Sequence, residues 1–293
     1  MIEQALYEHL KSQEALALML ATYNNKPAIF NQEVPADSDP LWGEGPQYSR
    51  LVFSVDIQGD PERTMGGTLT LDIMCKADDA FPEVLEPVVR GLIDGYFFSN
   101  TDNGFIAAAQ WKNSSYFTDP VEHVTGCTMA FELLGFPIIS TNNPDVVARF
   151  SEWSAKLPGV TVINWEPLPT TAWKPDETTA IYWRVSQEKP CNWIPDTYQT
   201  VWRTATVKGH IFAKNKATAA TIAQTVAFEL YSLQRLLKTG EAPLMVDRGI
   251  SIENGADPLR GGQLAIEATY GVIVKFGAKE TIKNINVDEG RNQ

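Results

Sequence analysis

The chain has 293 residues, of which 44% are hydrophobic and 20% are charged. This composition is that of a folded protein, and the length is comfortable for two domains. The net charge of −12 argues against a general binder of the nucleic-acid backbone, because such a protein needs a cationic face.

Cysteine usage and hydropathy exclude further classes of protein. Cys75, Cys127 and Cys191 are too few and too scattered for a disulfide framework or a zinc site, and a reducing cytosol is the simplest compartment. No apolar stretch reaches membrane-spanning length, and the N-terminus lacks the cationic start of a signal peptide. We therefore expect neither a membrane protein nor an exported enzyme.

The first half of the chain is predicted to begin with an amphipathic helix, which Asn24-Asn25 and Pro27 should end. A second helix, capped by Ala77-Asp78-Asp79, should follow the third strand, because acidic residues suit a helix N-terminus. Apolar and alternating runs predict strands near residues 28–33, 50–58, 67–76, 105–112 and 123–134.

The second half is predicted to repeat this order after a linker at residues 135–145, which is rich in Pro, Ser and Asn. Helices are predicted at residues 145–156 and 216–238, and strands near residues 161–166, 179–187, 200–214, 244–253 and 263–276. The polar residues 277–293 are predicted to form a loose tail.

Internal similarity indicates that one domain occurs twice along the chain. Four segments match in the same order: residues 30–35 with 163–169, 51–55 with 181–185, 68–76 with 206–214, and 129–132 with 264–267. The offsets between their first matched residues are 133, 130, 138 and 135 positions, and the helix after the third strand keeps the offset of 138.

One pair of turns conflicts with the last of these offsets. Asp119-Pro120 and Asp257-Pro258 align at 138 positions, whereas the strands that follow them align at 135. An odd shift would turn every side chain of a strand to the opposite face of the sheet. We therefore predict the offset of 135 for the strands and expect the preceding turns to differ in length.

The sequence thus predicts an α+β protein with two similar domains, residues 1–137 and 142–276, followed by the tail at 277–293. Each domain should have the order α-β-β-β-α-β-β and a mostly antiparallel sheet with helices packed on one face. Two unrelated α+β domains with similar periodicity are the alternative.

The hairpin between the second and third strands differs most between the halves. The second half has eight more residues here, across 188–199, and a long arm that carries Trp193 is hard to explain within a small monomeric domain. We predict contacts with other subunits or partners at Asp60, Glu62 and Arg63 of the first hairpin, at Lys189, Trp193 and Asp196 of the second, and at Trp173 in a proline-containing loop.

No motif for catalysis, metal binding or nucleotide binding is present, and the three histidines are spread along the chain. We therefore expect no enzymatic activity, no cofactor and no metal. Five of the eight tryptophans lie between residues 165 and 202, where Trp183 shares a face with apolar residues and is predicted to be core. This aromatic stretch leaves open a monomeric protein that binds a small molecule or glycan, and an enzyme whose site has no motif is a third possibility.

Each half of the chain resembles the tail-terminator and tail-completion proteins of long-tailed bacteriophages. The resemblance lies in the element order, the unit length and the strand-rich end after the second helix. In the second half, that end reads Met245-Val246-Asp247, Asp257-Pro258 and, at residues 261–266, GGQLAI. The resemblance covers nearly the whole chain, once per half, whereas the usual chain of the family is a single unit.

The resemblance implies a structural virion protein, assembled in the bacterial cytoplasm, whose rings cap the tail tube, end its polymerisation and join the tail to the head. A doubled chain could form such a ring from three or six copies. The implied partners are the tail tube protein, the head-to-tail connector and, in contractile tails, the sheath. Genomic DNA would pass through an acidic lumen without specific binding. A neck adaptor, collar or baseplate protein of similar fold is the nearest alternative.

Overall fold

The computed structural model describes residues 2–59, 66–77, 81–100, 105–137, 144–176, 178–237, 243–247 and 249–273. These residues form two mixed, mostly antiparallel sheets and five α-helices, which confirms the predicted α+β class and the two similar domains. No helix of the described ranges is both long and apolar enough to cross a membrane. The predicted tail at residues 277–293 lies outside the described residues.

The first domain contains three helices and eight strands among its described residues. They are α1 (Ile2–Lys11), α2 (Glu14–Ala17), β1 (Thr22–Tyr23), β2 (Lys26–Pro27), β3 (Ile29–Asn31), β4 (Arg50–Gln58), β5 (Gly66–Lys76), α3 (Pro82–Ile93), β6 (Phe97–Asn100), β7 (Phe105–Asp119) and β8 (Val124–Gly135). A single 3-10 turn, Pro40–Trp42, lies in the loop between β3 and β4.

The second domain follows after the linker. Its described elements are α4 (Val146–Ser154), β9 (Val160–Val162), β10 (Ala172–Trp173), β11 (Thr179–Pro190), β12 (Thr200–Phe212), α5 (Lys216–Leu233), β13 (Arg235–Leu236), β14 (Leu244–Val246), β15 (Ser251–Ile252) and β16 (Leu264–Ile273).

The two sheets have the same strand order. The first runs β3-β4-β5-β8-β7-β6, and the second runs β9-β11-β12-β16-β14-β13. In each sheet the first pair is parallel and the other pairs are antiparallel. The short strand β15 pairs with β16 in addition.

The pairing registers agree with the offsets found in the sequence. Ile29 pairs with Leu51 and Leu51 with Ile73, while Val162 pairs with Ile181 and Ile181 with Ile211, at offsets of 133, 130 and 138 positions. Leu69 pairs with Phe131 as Val207 pairs with Ile266, which confirms the offset of 135 for the last strand. The repeat therefore extends from sequence similarity to hydrogen-bond register.

The turns before the last strands do differ in length, as predicted. Asp119 pairs directly with Val124 across the β7–β8 turn, and its carboxylate accepts from the main chain of Val121. Asp257 makes the same kind of turn with Leu259, but β16 begins only at residue 264. The chain between the Asp-Pro turn and the last strand is therefore longer in the second domain than in the first.

Each sheet buries one face beneath helices. The core of the first domain includes Leu6, Leu10, Leu71, Val89 and Phe131, and that of the second includes Phe150, Val207, Val226, Leu230 and Ile266. Cys75 and Cys127 lie in the first core, as predicted, and Trp183 lies in the second, where its indole N–H donates to Ser154. Trp183 pairs with Gly209, and a Cβ at Gly209 would lie only 2.5 Å from the indole ring.

Three predicted boundaries were wrong. The first helix ends at Lys11, and a separate short helix, α2, ends at Ala17. Asn24 and Asn25 end neither helix: with φ values of 47° and 59°, they form the turn of the β1–β2 hairpin. The helix α3 begins at Pro82 without a capping side chain, and Asp78 and Asp79 lie outside the described residues. The helix α5 ends at Leu233, because Gln234 adopts a left-handed conformation and β13 follows it.

Candidate interaction sites: the seam, the groove and the arm

A strand of the second domain completes the sheet of the first. Ala172 and Trp173 of β10 pair antiparallel with Phe98 and Phe97 of β6, so that β10 becomes the outermost strand of the first sheet. The main-chain N–H of Ser99 also donates to the carbonyl of Thr171, at 2.9 Å. The two domains are therefore joined by sheet hydrogen bonds as well as by the linker.

An apolar cluster, here called the seam, packs the outer faces of the two sheets together beside β10. It comprises Phe97, Ile106, Ala108, Leu134 and Phe136 of the first domain and Ile163, Leu168, Trp173, Ala180, Tyr182 and Phe212 of the second. The aromatic rings meet closely, with centroids 4.9 Å apart for Phe97 and Phe212 and 5.1 Å apart for Phe136 and Tyr182. Burial of each large side chain contributes about 2–3 kcal/mol, so the seam is a substantial contact.

The structure gives Trp173 a partner inside the chain. Only 8% of this residue is exposed, and its ring centroid lies 5.4 Å from that of Phe97. We predicted Trp173 as a contact with another subunit because loops that contain proline and tryptophan are typical of protein surfaces. The pairing of β10 with β6 instead carries its ring into the seam.

Polar side chains continue the contact between the domains. Glu132 of the first domain accepts hydrogen bonds from Lys112 of the same domain and from Arg260 of the second. Partial burial raises the pKa of Glu132, but the hydrogen bonds from Lys112 and Arg260 outweigh this effect, so its pKa lies below the usual value. Glu132 is therefore held as a carboxylate between the two domains.

A histidine supports the turn that carries Arg260. His210 is fully buried, and its Nδ1 lies 2.7 Å from the carbonyl oxygen of Pro258. The Nε–H of Arg184 donates to Nε2 of the same ring, at 3.0 Å. Because the carbonyl can only accept, Nδ1 carries the proton and His210 is a neutral linker between β12 and this turn.

The second hairpin is longer than the first and forms an arm at the end of its sheet, defined here as residues 188–203. It consists of the end of β11, a connecting loop and the start of β12, and its last strand pair is Pro190 with Arg203. The corresponding pairing in the first domain ends at Gln58 and Gly66. Asp60, Glu62 and Arg63, predicted as contacts on that first hairpin, lie outside the described residues.

Hydrogen bonds fix the shape of the arm. The main-chain N–H of Cys191 donates to the carbonyl of Trp202 at 3.0 Å, and the N–H of Trp202 donates to the Asp196 carboxylate at 2.7 Å. Lys189 of β11 forms an ion pair with Glu267 of β16, across β12, at 2.8 Å. Lys189 and Asp196, both predicted as partner contacts, thus have partners within the chain that hold the arm in place.

The buried phenol of Tyr270 anchors the base of the arm. Burial raises the pKa of Tyr270 well above its usual value, and its hydrogen bond to the Glu188 carboxylate raises it further. Tyr270 is therefore a neutral hydrogen-bond donor to the arm at neutral pH. This bond ties the end of β11 to β16.

The tip of the arm presents aromatic side chains to solvent. Trp193 is 60% exposed and Tyr198 is 79% exposed, and Ile273 at the end of β16 is exposed beside the arm. A fixed hairpin with an exposed tryptophan loses little conformational entropy when another protein covers it. The predicted position of Trp193 on an arm is therefore matched by a geometry suited to insertion.

An open groove lies at the end of β10, between the chain around this strand and Tyr96 of the first domain. Its volume is about 410 Å³, and it is lined by Tyr96, Pro169, Thr170, Ala172, Trp173, Lys174, Asp176 and Thr178. The ammonium of Lys174 donates to the carbonyl of Asp94 at 3.0 Å and lies 5.2 Å from the centre of the Tyr96 ring. Sequence reasoning missed this groove, because its two walls are about 75 residues apart and meet only through β10.

Among the residues that the structure describes, no group of three or more His, Cys, Asp or Glu is placed to hold a metal ion. The buried thiol of Cys75 accepts a hydrogen bond from Ser49, and burial raises its pKa. No protein-family model matches this chain, and no curated protein sequence is significantly similar to it.

Proposed function

We propose that the chain is a structural protein of a long-tailed bacteriophage, whose rings cap the tail tube, end its polymerisation and join the tail to the head. Its place would be the virion neck, with the tail tube protein and the head-to-tail connector as partners. The observation that carries the proposal is the arm, which is fixed by hydrogen bonds and exposes Trp193 at its tip.

The arm favours assembly because its tip presents an exposed indole on a fixed hairpin, which a partner can cover at little cost in conformational entropy. Covering a large aromatic side chain contributes about 2–3 kcal/mol for each copy in an assembly. The strand addition of β10 to β6 shows how a segment of one domain can extend the sheet of another. The same chemistry between copies would join chains to one another.

The net charge supports a place in the neck, through which the genome passes on its way into the tail. A ring of chains that each carry a charge of −12 repels DNA at its surface, so that a genome could pass without adhering. A protein that holds DNA would need the opposite sign of charge on the surface facing it.

The aromatic stretch gives less support to a glycan-binding monomer. Trp173 and Trp183 are both buried, in the seam and in the second core, and Trp202 of the arm is partly buried. Trp165 and Trp193 remain exposed, on separate loops of the chain. Few of the tryptophans between residues 165 and 202 are therefore available to stack against a sugar.

Native mass and negative-stain class averages of the purified protein test the proposal. We expect closed rings of three or six chains, and we expect these rings at the ends of cognate tail tubes when the tubes are added. A monomer at high concentration that forms no rings with tubes would contradict the proposal. Rings that bind head connectors but not tubes would instead identify a neck adaptor.

A further inference from the structure

The loop before the last strand contains the dipeptide Asn254-Gly255, whose two residues can react with each other. The side-chain amide of an asparagine has an electrophilic carbonyl carbon, and the main-chain nitrogen of the next residue lies close enough to attack it. A glycine in that next position favours the attack, because it has no Cβ to obstruct the approach. In a folded protein the reaction also requires that solvent reaches both residues and that the main chain between them can rotate.

Both residues are open to solvent. Asn254 and Gly255 are exposed in the turn between β15 and β16. A Cβ added to Gly255 would have no atom within 4 Å, and the φ angle of this glycine lies outside the left-handed region. Water and hydroxide can therefore reach the amide group and the main-chain nitrogen from the solvent side.

Few hydrogen bonds restrain this dipeptide. Within the described part of the chain, neither the side chain of Asn254 nor the main-chain N–H of Gly255 has a hydrogen-bond partner. A single main-chain bond closes the turn around them, from the N–H of Ala256 to the carbonyl of Glu253, at 3.1 Å. The rotation that brings the nitrogen of Gly255 to the side chain of Asn254 therefore opens only one exposed hydrogen bond.

The dipeptide Asp94-Gly95, which can form the same ring by losing water, shows the opposite case. The Asp94 carboxylate accepts a hydrogen bond from the main-chain N–H of Trp111, at 2.9 Å. The N–H of Gly95 donates to the carbonyl of Ala109, also at 2.9 Å. Both reacting groups are thus bonded to β7 at this site, whereas both are free to move at Asn254-Gly255.

We propose that Asn254 is a site of spontaneous deamidation and isoaspartate formation in the folded protein. The main-chain nitrogen of Gly255 loses its proton and bonds to the side-chain carbonyl carbon of Asn254, and the amide C–N bond breaks to release ammonia. Water then opens the resulting cyclic succinimide at either of its carbonyl groups. The products are an aspartate and an isoaspartate, so that the reaction consumes one water and releases one ammonia without oxidation or reduction.

The position of this turn gives the modification a structural consequence. The same loop carries Arg260, which donates to Glu132 of the first domain, and each conversion adds a negative charge to it. The N–H of Glu253 donates to the carbonyl of Gln263 at 2.8 Å, so the loop is fixed at its base. An isoaspartate lengthens the main chain between these fixed ends, and we expect the short pairing of β15 with β16 to weaken first.

Incubation of the intact chain at mildly alkaline pH, followed by tryptic digestion and mass spectrometry, tests the proposal. Trypsin releases the site in one peptide, residues 249–260, whose mass rises by about 1 Da on deamidation. Chromatography separates the aspartate form from the isoaspartate form, and a sample digested without incubation gives the background.

The same peptide free in solution sets the reference rate. Because one turn hydrogen bond restrains the site, Asn254 of the folded chain should convert no more than about tenfold more slowly than in the free peptide. A folded chain in which Asn254 converts more slowly than this overturns the proposal.

Two variants test the assignment of the reacting groups. Asn254→Gln removes the asparagine and should leave the peptide unmodified over the same period. Gly255→Ala places a Cβ in open space and should slow the conversion at least about tenfold, because the methyl group hinders the attacking nitrogen. Circular dichroism shows that each variant is folded, and a Gly255→Ala chain that converts as fast as the unmodified chain would also overturn the proposal. None of these outcomes depends on the proposed function, which the test of ring formation decides separately.

Discussion

In both domains, two residues that face each other on adjacent strands occupy the same position beneath the helices. They are Phe53 and Leu71 in the first domain, and Trp183 and Gly209 in the second. The larger indole faces a glycine, whereas the smaller phenyl ring faces a leucine. The inner faces of the two sheets thus keep their packed volume while the individual side chains change.

The outer faces of the same sheets differ much more. Three seam residues of the first domain, Phe97, Leu134 and Phe136, correspond by register to Arg235, Thr269 and Gly271 of the second. At these positions, the outer face of the second sheet therefore lacks the apolar side chains with which the first domain contacts the second. Two domains of one fold can share a core and still make different contacts, so copies of this chain need not be joined as its own domains are.

The largest expected effect comes from exchanging the outer-face residues. Phe97→Arg places a charge in the seam, where no solvent can reach it, and should lower the free energy of unfolding by at least about 4 kcal/mol. Arg235→Phe changes the equivalent exposed residue and should cost less than about 0.5 kcal/mol. Urea unfolding of both variants measures the difference, and equal losses would contradict the comparison.

The inner-face pairs predict a rescue. Gly209→Leu drives a side chain into the ring of Trp183 and should destabilise the protein by about 3 kcal/mol. Adding Trp183→Phe recreates the pair found in the first domain and should recover part of this loss, although the hydrogen bond to Ser154 is gone. If the side chains at positions 183 and 209 were not in contact, the losses of unfolding free energy caused by the two single substitutions would add in the double variant, and urea unfolding would show this.

The acidic residues at equivalent outer-face positions, Glu132 and Glu267, predict a smaller difference. The Glu132 carboxylate, whose pKa is lowered, contributes stability above the ordinary glutamate pKa of 4.5, and this is lost as the pH falls through the lowered value. Glu132→Gln should cost about 1 kcal/mol at pH 7 and flatten the acid side of the stability profile.

Glu267→Gln is the matched control for that variant. It breaks an ion pair with Lys189 that is nearly half exposed and lies within one domain, so it should cost less than Glu132→Gln at pH 7. Urea midpoints for both variants between pH 3 and pH 7 provide the comparison. A larger loss for Glu267→Gln would show that the polar contact between the domains contributes little.

The smallest expected effect concerns Lys174, which follows β10 and contacts Asp94 and Tyr96 of the first domain. Lys174→Met keeps the aliphatic stem but removes the cation above Tyr96. Loss of this cation–π contact between the two domains should lower the free energy of unfolding by about 0.5 kcal/mol, measured by urea unfolding. Lys156→Met, an exposed lysine on α4, is the control, and an equal effect there would exclude a specific role for Lys174.

Long periodic elements could be predicted from the sequence, because their signal is repeated many times. The alternation along β5 and the four offsets led to the correct sheet register, since a slip would expose Leu69 and its neighbours. The position of Trp193 on an arm followed in the same way, from a difference in hairpin length between two otherwise matching halves.

Short and distant elements could not be predicted. The strand β10 has only Ala172 and Trp173, too few for any periodicity, and its partner Phe97 lies 76 positions earlier. Asn24-Asn25 carries the signal of a turn but not the information that the turn joins two strands rather than ending a helix. Lys189 was predicted as a partner contact because the sequence does not distinguish a charged arm residue that binds another protein from one that forms an ion pair within its own sheet.

The length of β11 has a consequence for any assembly made through the arm. The twelve residues of this strand place the tip of the arm about 40 Å from Thr179, where β11 begins beside the seam. A copy that binds the tip is therefore held at about this distance from the seam of the copy that supplies the arm, whichever surface it uses. The spacing of neighbouring copies is in this way determined by the number of residues in one β-strand.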